Sequence, residues 1–172
     1  MVIGIIGENC SGKSTLAEQI RRALGGEIVT GKDYLRLAKT EGEAAARFRT
    51  QLHSALRGEH LIYVISEPAQ AALLPEEAIR ILVYADLDTI KARFRARMRG
   101  TLPPPVEQML ERKHGMFDAG TYDFRFDGTS GDAPALCEAL RARLDEERDL
   151  IYYSVKNPLP DGNTPAATED RR

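Results

Sequence analysis

Gly7-Glu8-Asn9-Cys10-Ser11-Gly12-Lys13-Ser14-Thr15 is the stretch that decides how this chain of 172 residues is read. It spells G-x-x-x-x-G-K-[ST]. The continuously apolar run Val2-Ile3-Gly4-Ile5-Ile6 precedes it, and Leu16, Ile20 and Leu24 follow at four-residue spacing with Ala17 and Ala23 beside them. A buried strand, a glycine loop and an amphipathic helix in that order make a phosphate-binding loop. The glycines let the backbone close around a polyphosphate with its N–H groups pointing inward, and the opening of the helix adds the positive end of its dipole. Gly7, Asn9, Cys10, Ser11, Gly12, Lys13, Ser14 and Thr15 are therefore the expected nucleotide-binding residues. Lys13 is expected to reach the outer phosphates, and the Ser14 hydroxyl to ligate Mg²⁺.

Outward from that loop the chain reads as one α/β domain over residues 1–155, a length that can bury a substantial core. Apolar residues make up 42% and charged residues 29%, an ordinary globular balance. The net charge of -2 gives no general pull toward nucleic acid or a membrane, so the expected partner is a small-molecule phosphate acceptor. Cys10 and Cys137 do not form a disulfide framework, and no long apolar run or charged leader is present, which points to the cytoplasm. The sequence leaves oligomeric state open. Residues 156–172, with Pro158, Pro160, Gly162 and Pro165, read as a flexible tail.

Four further strands are predicted at Glu27–Thr30, Leu61–Ile65, Ile79–Tyr84 and Tyr122–Asp127, with a short edge strand over Ile151–Val155. Functional side chains are expected where the strands end, because ligands of an open parallel sheet gather beyond the carboxyl ends of its strands. After the second strand stand Asp33 and Arg36. The carboxylate is suited to take a proton from an attacking hydroxyl and the arginine to hold an anion, although Asp33 also suits a helix cap. Residues 34–58 read as helices holding the acceptor. Glu67 follows the third core strand, where a carboxylate supports the metal, often through water. After Asp86-Leu87-Asp88 a helix from about Thr89 carries Arg93, Arg95, Arg97 and Arg99, then Gly100 and Pro103-Pro104-Pro105. This is the expected root of a lid over about 93–118, with Arg93 and Arg97 set to offset charge on a transferring phosphoryl group. A solvated basic face is the alternative.

Taken together, the phosphate loop, the arginine-bearing segment and Tyr122-Asp123-Phe124-Arg125-Phe126-Asp127 leading to Thr129-Ser130 resemble the P-loop nucleoside and nucleotide kinases, in particular the cytidylate kinase-like members. The resemblance covers about residues 1–148. It implies a three-layer α/β/α P-loop NTPase fold, with a five-stranded parallel sheet of order 2-3-1-4-5 and a helical lid between strands four and five. It also implies ATP and Mg²⁺ as cofactors, Lys13 and Ser14 as phosphate and metal residues, Asp33 and Arg36 on the acceptor, and Arg93 and Arg97 as lid arginines.

The expected activity is transfer of the γ-phosphoryl group of ATP to a small acceptor, with a nucleoside monophosphate as the first expectation. The alternatives are a kinase of a nucleoside, sugar or other hydroxyl acceptor, and a nucleotide-binding regulatory module or NTPase without transfer. No Asn-Lys-x-Asp segment for reading guanine is present.

Overall fold

The computed structural model describes residues 1–31 and 33–156, with no side chain described beyond 146. Five strands, β1 (Val2–Ile6), β2 (Glu27–Thr30), β3 (Leu61–Ile65), β4 (Ile79–Tyr84) and β5 (Phe124–Asp127), form one sheet. Its order is β2-β3-β1-β4-β5 and every pairing is parallel. Among the described residues six α-helices accompany it: α1 (Lys13–Leu24), α2 (Glu41–Ala55), α3 (Pro68–Ala71), α4 (Leu87–Arg97), α5 (Pro104–Lys113) and α6 (Ala133–Lys156). A 3₁₀ turn spans Asp33–Leu37. This is the P-loop NTPase architecture expected from the sequence.

By contacts the chain divides into Met1–Cys137 and Glu138–Arg172. The sheet and the phosphate loop belong to the first unit. In the second, α6 runs through Ile151–Val155, so the edge strand predicted there is in fact helix. The β-branched and aromatic residues Ile151, Tyr152, Tyr153 and Val155 suggested strand. The helix-forming run before them, Leu140 to Leu150, carries the helix through instead. The tail read at 156–172 lies outside the described residues after Lys156.

Central strands explain the continuous apolar runs. All five residues of β1 are buried, as are all five of β3, because both faces of the sheet are covered. On one face Val2, Ile6, Tyr63 and Ile65 join Phe48 and Leu52 of α2, with Leu73 and Leu74 behind α3. Phe48 is fully buried between two rings, stacked on Tyr34 at 5.4 Å and edge-on to Tyr63 at 4.8 Å. Such a side chain contributes about 1.5–3 kcal/mol by burial, and each ring pair adds to that. Ile3 and Ile5 point the other way, and α1 touches β1 and β3 with Leu16, Ala17 and Ile20 buried.

Register brings the functional strand ends level. Ile6 pairs with Ile65 and Leu82, Thr30 with Val64, and Tyr84 with Asp127. A glycine N–H prolongs the ladder past three of those ends: Gly7 to Ile65 O at 3.2 Å, Gly31 to Val64 O at 3.0 Å and Gly128 to Tyr84 O at 2.8 Å. The fifth strand starts two residues later than predicted. Asp123 precedes it and ties it to β4, its N–H reaching Arg80 O at 2.9 Å and its carboxylate accepting from Arg80 N at 2.8 Å.

Candidate active site

Beyond these strand ends lies a cavity of about 730 Å³. The phosphate loop lines one side with Asn9, Cys10, Gly12, Lys13, Ser14 and Thr15, and the ends of β2 and β3 line the other with Thr30, Gly31, Ser66, Glu67 and Gln70. Arg93, Arg97 and Gly128 complete the wall. The loop residues predicted to bind nucleotide thus share one surface, apart from Gly7 and Ser11, which are buried beneath it.

The loop is shaped by left-handed backbone at two places. Gly12 has φ 114°, and Cys10 has φ 65°, a region that non-glycine residues rarely occupy and that recurs at functional sites. Lys13 opens α1 and is almost fully buried, its ammonium donating to the Glu8 carbonyl. Burial brings its pKa down to about 8, an effect opposed by Cys10 and Glu8 and reinforced by the charge of Arg97. A desolvated cation at a helix start, facing a cavity, is a receptor for an anion, and this is the observation by which a polyphosphate fits the site. Ser14 and Thr15 are exposed on the first turn of α1.

Arg93, predicted to face a phosphoryl group, is placed differently in detail. Its guanidinium donates to Cys10 O at 3.1 Å and Ser11 O at 3.2 Å through Nη1, and to Gly128 O at 2.8 Å through Nη2. It reaches the cavity wall while fastening the phosphate loop to the turn after β5. Gly128 permits the closeness, since a Cβ there would collide with the Ser11 carbonyl, and one on Gly12 would stand 3.2 Å from the Gly128 α-carbon. Asp127 shapes the same turn by accepting from Thr129 N at 2.8 Å and from the Ser130 hydroxyl at 2.8 Å. Arg97, one helical turn beyond Arg93, also lines the cavity.

On the acceptor side Asp33 closes the turn after β2. Its Oδ2 accepts from Thr30 N at 2.9 Å and from the Thr30 hydroxyl at 2.8 Å, and it does not serve as a side-chain cap for Tyr34. Those bonds, the backbone one first, hold its carboxyl below the ordinary range, so it is ionised at neutral pH. Arg36 Nη1 is 3.8 Å from Asp33 Oδ1, with its side chain 85% exposed. Neither residue is part of the cavity lining, which Thr30 and Gly31 supply instead. Glu67 does line the cavity, and its Oε1 accepts from Lys113 Nζ at 2.9 Å.

Several lining residues carried no sequence signal. Gln70 Oε1 accepts from Ser66 N at 3.2 Å, which turns its amide nitrogen away from that contact, and the same amide fills the space that a Cβ on Gly31 would need. Only the helical spacing Ser66 to Gln70 across Pro68 hinted at this pairing. Among the described residues no group of three His, Cys, Asp or Glu side chains is arranged to hold a metal, and no helix is long and apolar enough to cross a membrane.

No family model matches the chain, and no curated protein does. Solved structures do. An uncharacterized protein from Eubacterium ventriosum ATCC 27560 superposes with a TM-score of 0.61 at 17% identity, covering 84% of this chain and 98% of that one. A gluconokinase from Sinorhizobium meliloti 1021 gives 0.56 at 16% identity, covering 89% and 96%. A shikimate kinase from Acinetobacter baumannii in complex with shikimate gives 0.54 at 16% identity, covering 92% and 95%. These likenesses show the fold that P-loop kinases share, and they do not single out the cytidylate kinase-like members.

Proposed function

We propose that the protein is an ATP- and Mg²⁺-dependent phosphotransferase that delivers the γ-phosphoryl group to a small polar acceptor. The observation that carries this reading is the shared cavity, whose phosphate-loop side opens directly onto a bay formed by Thr30, Gly31, Ser66, Glu67 and Gln70. In-line transfer requires two substrates end to end, and a loop that only held a nucleotide would have no use for such a bay.

Lys13, Ser14 and the loop amides would hold the polyphosphate. Ser14, with Glu67 acting through water, would hold Mg²⁺, which would supply positive charge to offset that of the phosphates. Arg97 would meet the charge developing on the transferring group, and Arg93 would keep the loop in shape. Asp33, ionised and bonded to Thr30 of the bay though itself outside the lining, would turn to orient the attacking hydroxyl and take its proton.

A hydroxyl acceptor is favoured over a nucleoside monophosphate. Among the described residues the β2–β3 bay offers hydroxyls, an amide and a carboxylate, whereas a monophosphate calls for arginine there, and Arg36, 85% exposed, extends into solvent. The likeness in fold to a gluconokinase and a shikimate kinase agrees with this preference. The test is a panel of sugars, polyols, hydroxy acids, nucleosides and nucleoside monophosphates with ATP and Mg²⁺, following ADP release. A hydroxyl compound that raises release well above the acceptor-free rate supports the reading. Stimulation by nucleoside monophosphates alone restores the nucleotide-kinase reading, and stimulation by none favours a nucleotide-binding module.

A further inference from the structure

The phosphate loop is fastened to the α4–α5 pair at three places, two of which use the freely varying positions of its motif. The Glu8 carboxylate accepts from Gly115 N at 2.8 Å through Oε1 and faces His114 Nδ1 at 3.2 Å through Oε2. The Glu8 side chain is only 15% exposed. Cys10 packs against an apolar cluster of Ala85, Ile90 and Leu110, with Leu87, Phe94, Leu102 and Met109 around it. Arg93 holds the Cys10 and Ser11 carbonyls. The two helices are themselves joined, Lys91 bridging Glu107 at 3.0 Å and Glu111 at 2.6 Å. Lys113, next to His114, binds Glu67 at the end of β3. Both roots of the predicted lid are therefore anchored at the nucleotide site, Arg93 at the outgoing one and Lys113-His114-Gly115 at the returning one.

We propose that Glu8 is a positioning residue for phosphoryl transfer: its carboxylate locks the return of α5 to the phosphate loop, so that loop and lid move as one body and Arg97 is held at a fixed place over the phosphates. The inference rests on the phosphotransferase reading for its catalytic consequence, and on the contacts alone for the lock. Glu8 is not part of the lining of the cavity between the phosphate loop and the β2–β3 ends; with His114 it lines a separate cavity beside Tyr84, Asp86 and Asp127. Its carboxylate points at the α5 return, while its carbonyl is the group that meets Lys13.

The consequence is water exclusion as much as alignment. A lid that drifts from its loop lets water reach the transferring group, so ATP is lost to hydrolysis in place of transfer. A residue needed only for folding would change neither that ratio nor the split between rate and nucleotide affinity.

The test compares wild type, Glu8→Gln and Glu8→Ala with and without MgATP, by amide hydrogen exchange, ATP affinity, acceptor-free ATP hydrolysis and acceptor-dependent turnover. Glu8→Ala is expected to speed exchange over residues 98–102 and 113–116 by about tenfold or more while β1 and β3 amides hold their rates. ATP affinity should stay within about threefold, and turnover should fall about tenfold with a larger share of ATP hydrolysed. Glu8→Gln still accepts from Gly115 N and should recover most of both. Unchanged exchange at 113–116 in Glu8→Ala overturns the proposal, as does a uniform acceleration across the sheet. If no acceptor supports turnover the phosphotransferase reading fails by itself, and the exchange pattern still decides whether the lock exists.

Discussion

Arg93 and Gly128, 35 positions apart in sequence, are joined by a 2.8 Å hydrogen bond from the guanidinium to the glycine carbonyl, while the same guanidinium holds Cys10 O and Ser11 O. The two arginines expected to act together on the phosphoryl group thus occupy different surroundings. Arg97→Ala is expected to lower kcat by about 10²-fold or more with ATP affinity nearly unchanged, as for loss of a charge-stabilising donor. Arg93→Ala should weaken ATP binding as well, because the loop loses its backing. Arg93→Lys should restore little, since an ammonium lacks the planar fork that spans three carbonyls. Nucleotide titration and steady-state kinetics on the three variants separate the roles, and identical profiles for Arg93→Ala and Arg97→Ala refute the division.

Gly128 makes a sharper steric prediction. Any Cβ there meets the Ser11 carbonyl, a backbone atom with no rotamer to yield. Gly128→Ala is expected to cost about 1–3 kcal/mol of stability, as overpacked sites do, and to lower ATP affinity. Gly25→Ala is the control: nothing lies near its would-be Cβ, so its cost comes from the left-handed φ of 78° alone and should leave ATP affinity intact. Denaturant unfolding with ATP titration measures both.

On the proposed function, the lowered pKa of Lys13 makes polyphosphate binding pH-linked. With a value of about 8, part of the population is neutral from pH 7.5 upward, and an arriving polyphosphate raises the pKa again. Binding at pH 8 should therefore take up roughly half a proton, visible as a dependence of the calorimetric heat on buffer ionisation enthalpy. The sign for the unliganded protein follows the same logic. The unfolded lysine, near 10.5, binds more protons than the folded one, so this residue destabilises the fold below about pH 8 and that penalty is relieved as pH rises toward 10.5. Lys13→Met should abolish the proton uptake.

Asp33 binds Thr30 through Oδ2 and lies 3.8 Å from Arg36 Nη1 through Oδ1, so to meet a substrate hydroxyl the proposed base must give up only that exposed, loose ion pair. Asp33→Asn keeps an oxygen for the Thr30 contacts and removes the base. With a hydroxyl acceptor it should lower kcat by about 10²-fold while acceptor KM moves little. Equal changes in kcat and KM would mark Asp33 as a positioning group only.

The sheet was legible from sequence because β1 and β3 are covered on both faces, and strands so placed read as continuous apolar runs. The glycine loop between β1 and α1 was legible because its left-handed turn and close approaches demand glycine at fixed positions. The partners of Arg93 left no mark, since carbonyls of Cys10, Ser11 and Gly128 are the same in any sequence and a charge does not announce what it faces. The lock of Glu8 on Gly115 was hidden for a similar reason: the motif treats position 8 as free, and its partner is an N–H about a hundred residues away. The cavity wall opposite the loop draws on Thr30, Ser66 and Gln70, common residues brought together only by the register that sets β2 and β3 level.

The backing of the phosphate loop by Gly128 also bears on when the chain can first work. Synthesis proceeds from the amino terminus, and the motif is complete by Thr15, yet the carbonyl and turn that support it arrive with β5. A growing chain that has emitted only β1 to β4 carries every residue of the nucleotide signature without the surface that holds it in shape. On the phosphotransferase reading, nucleotide capture would then follow the closing of the sheet in the life of the nascent polypeptide.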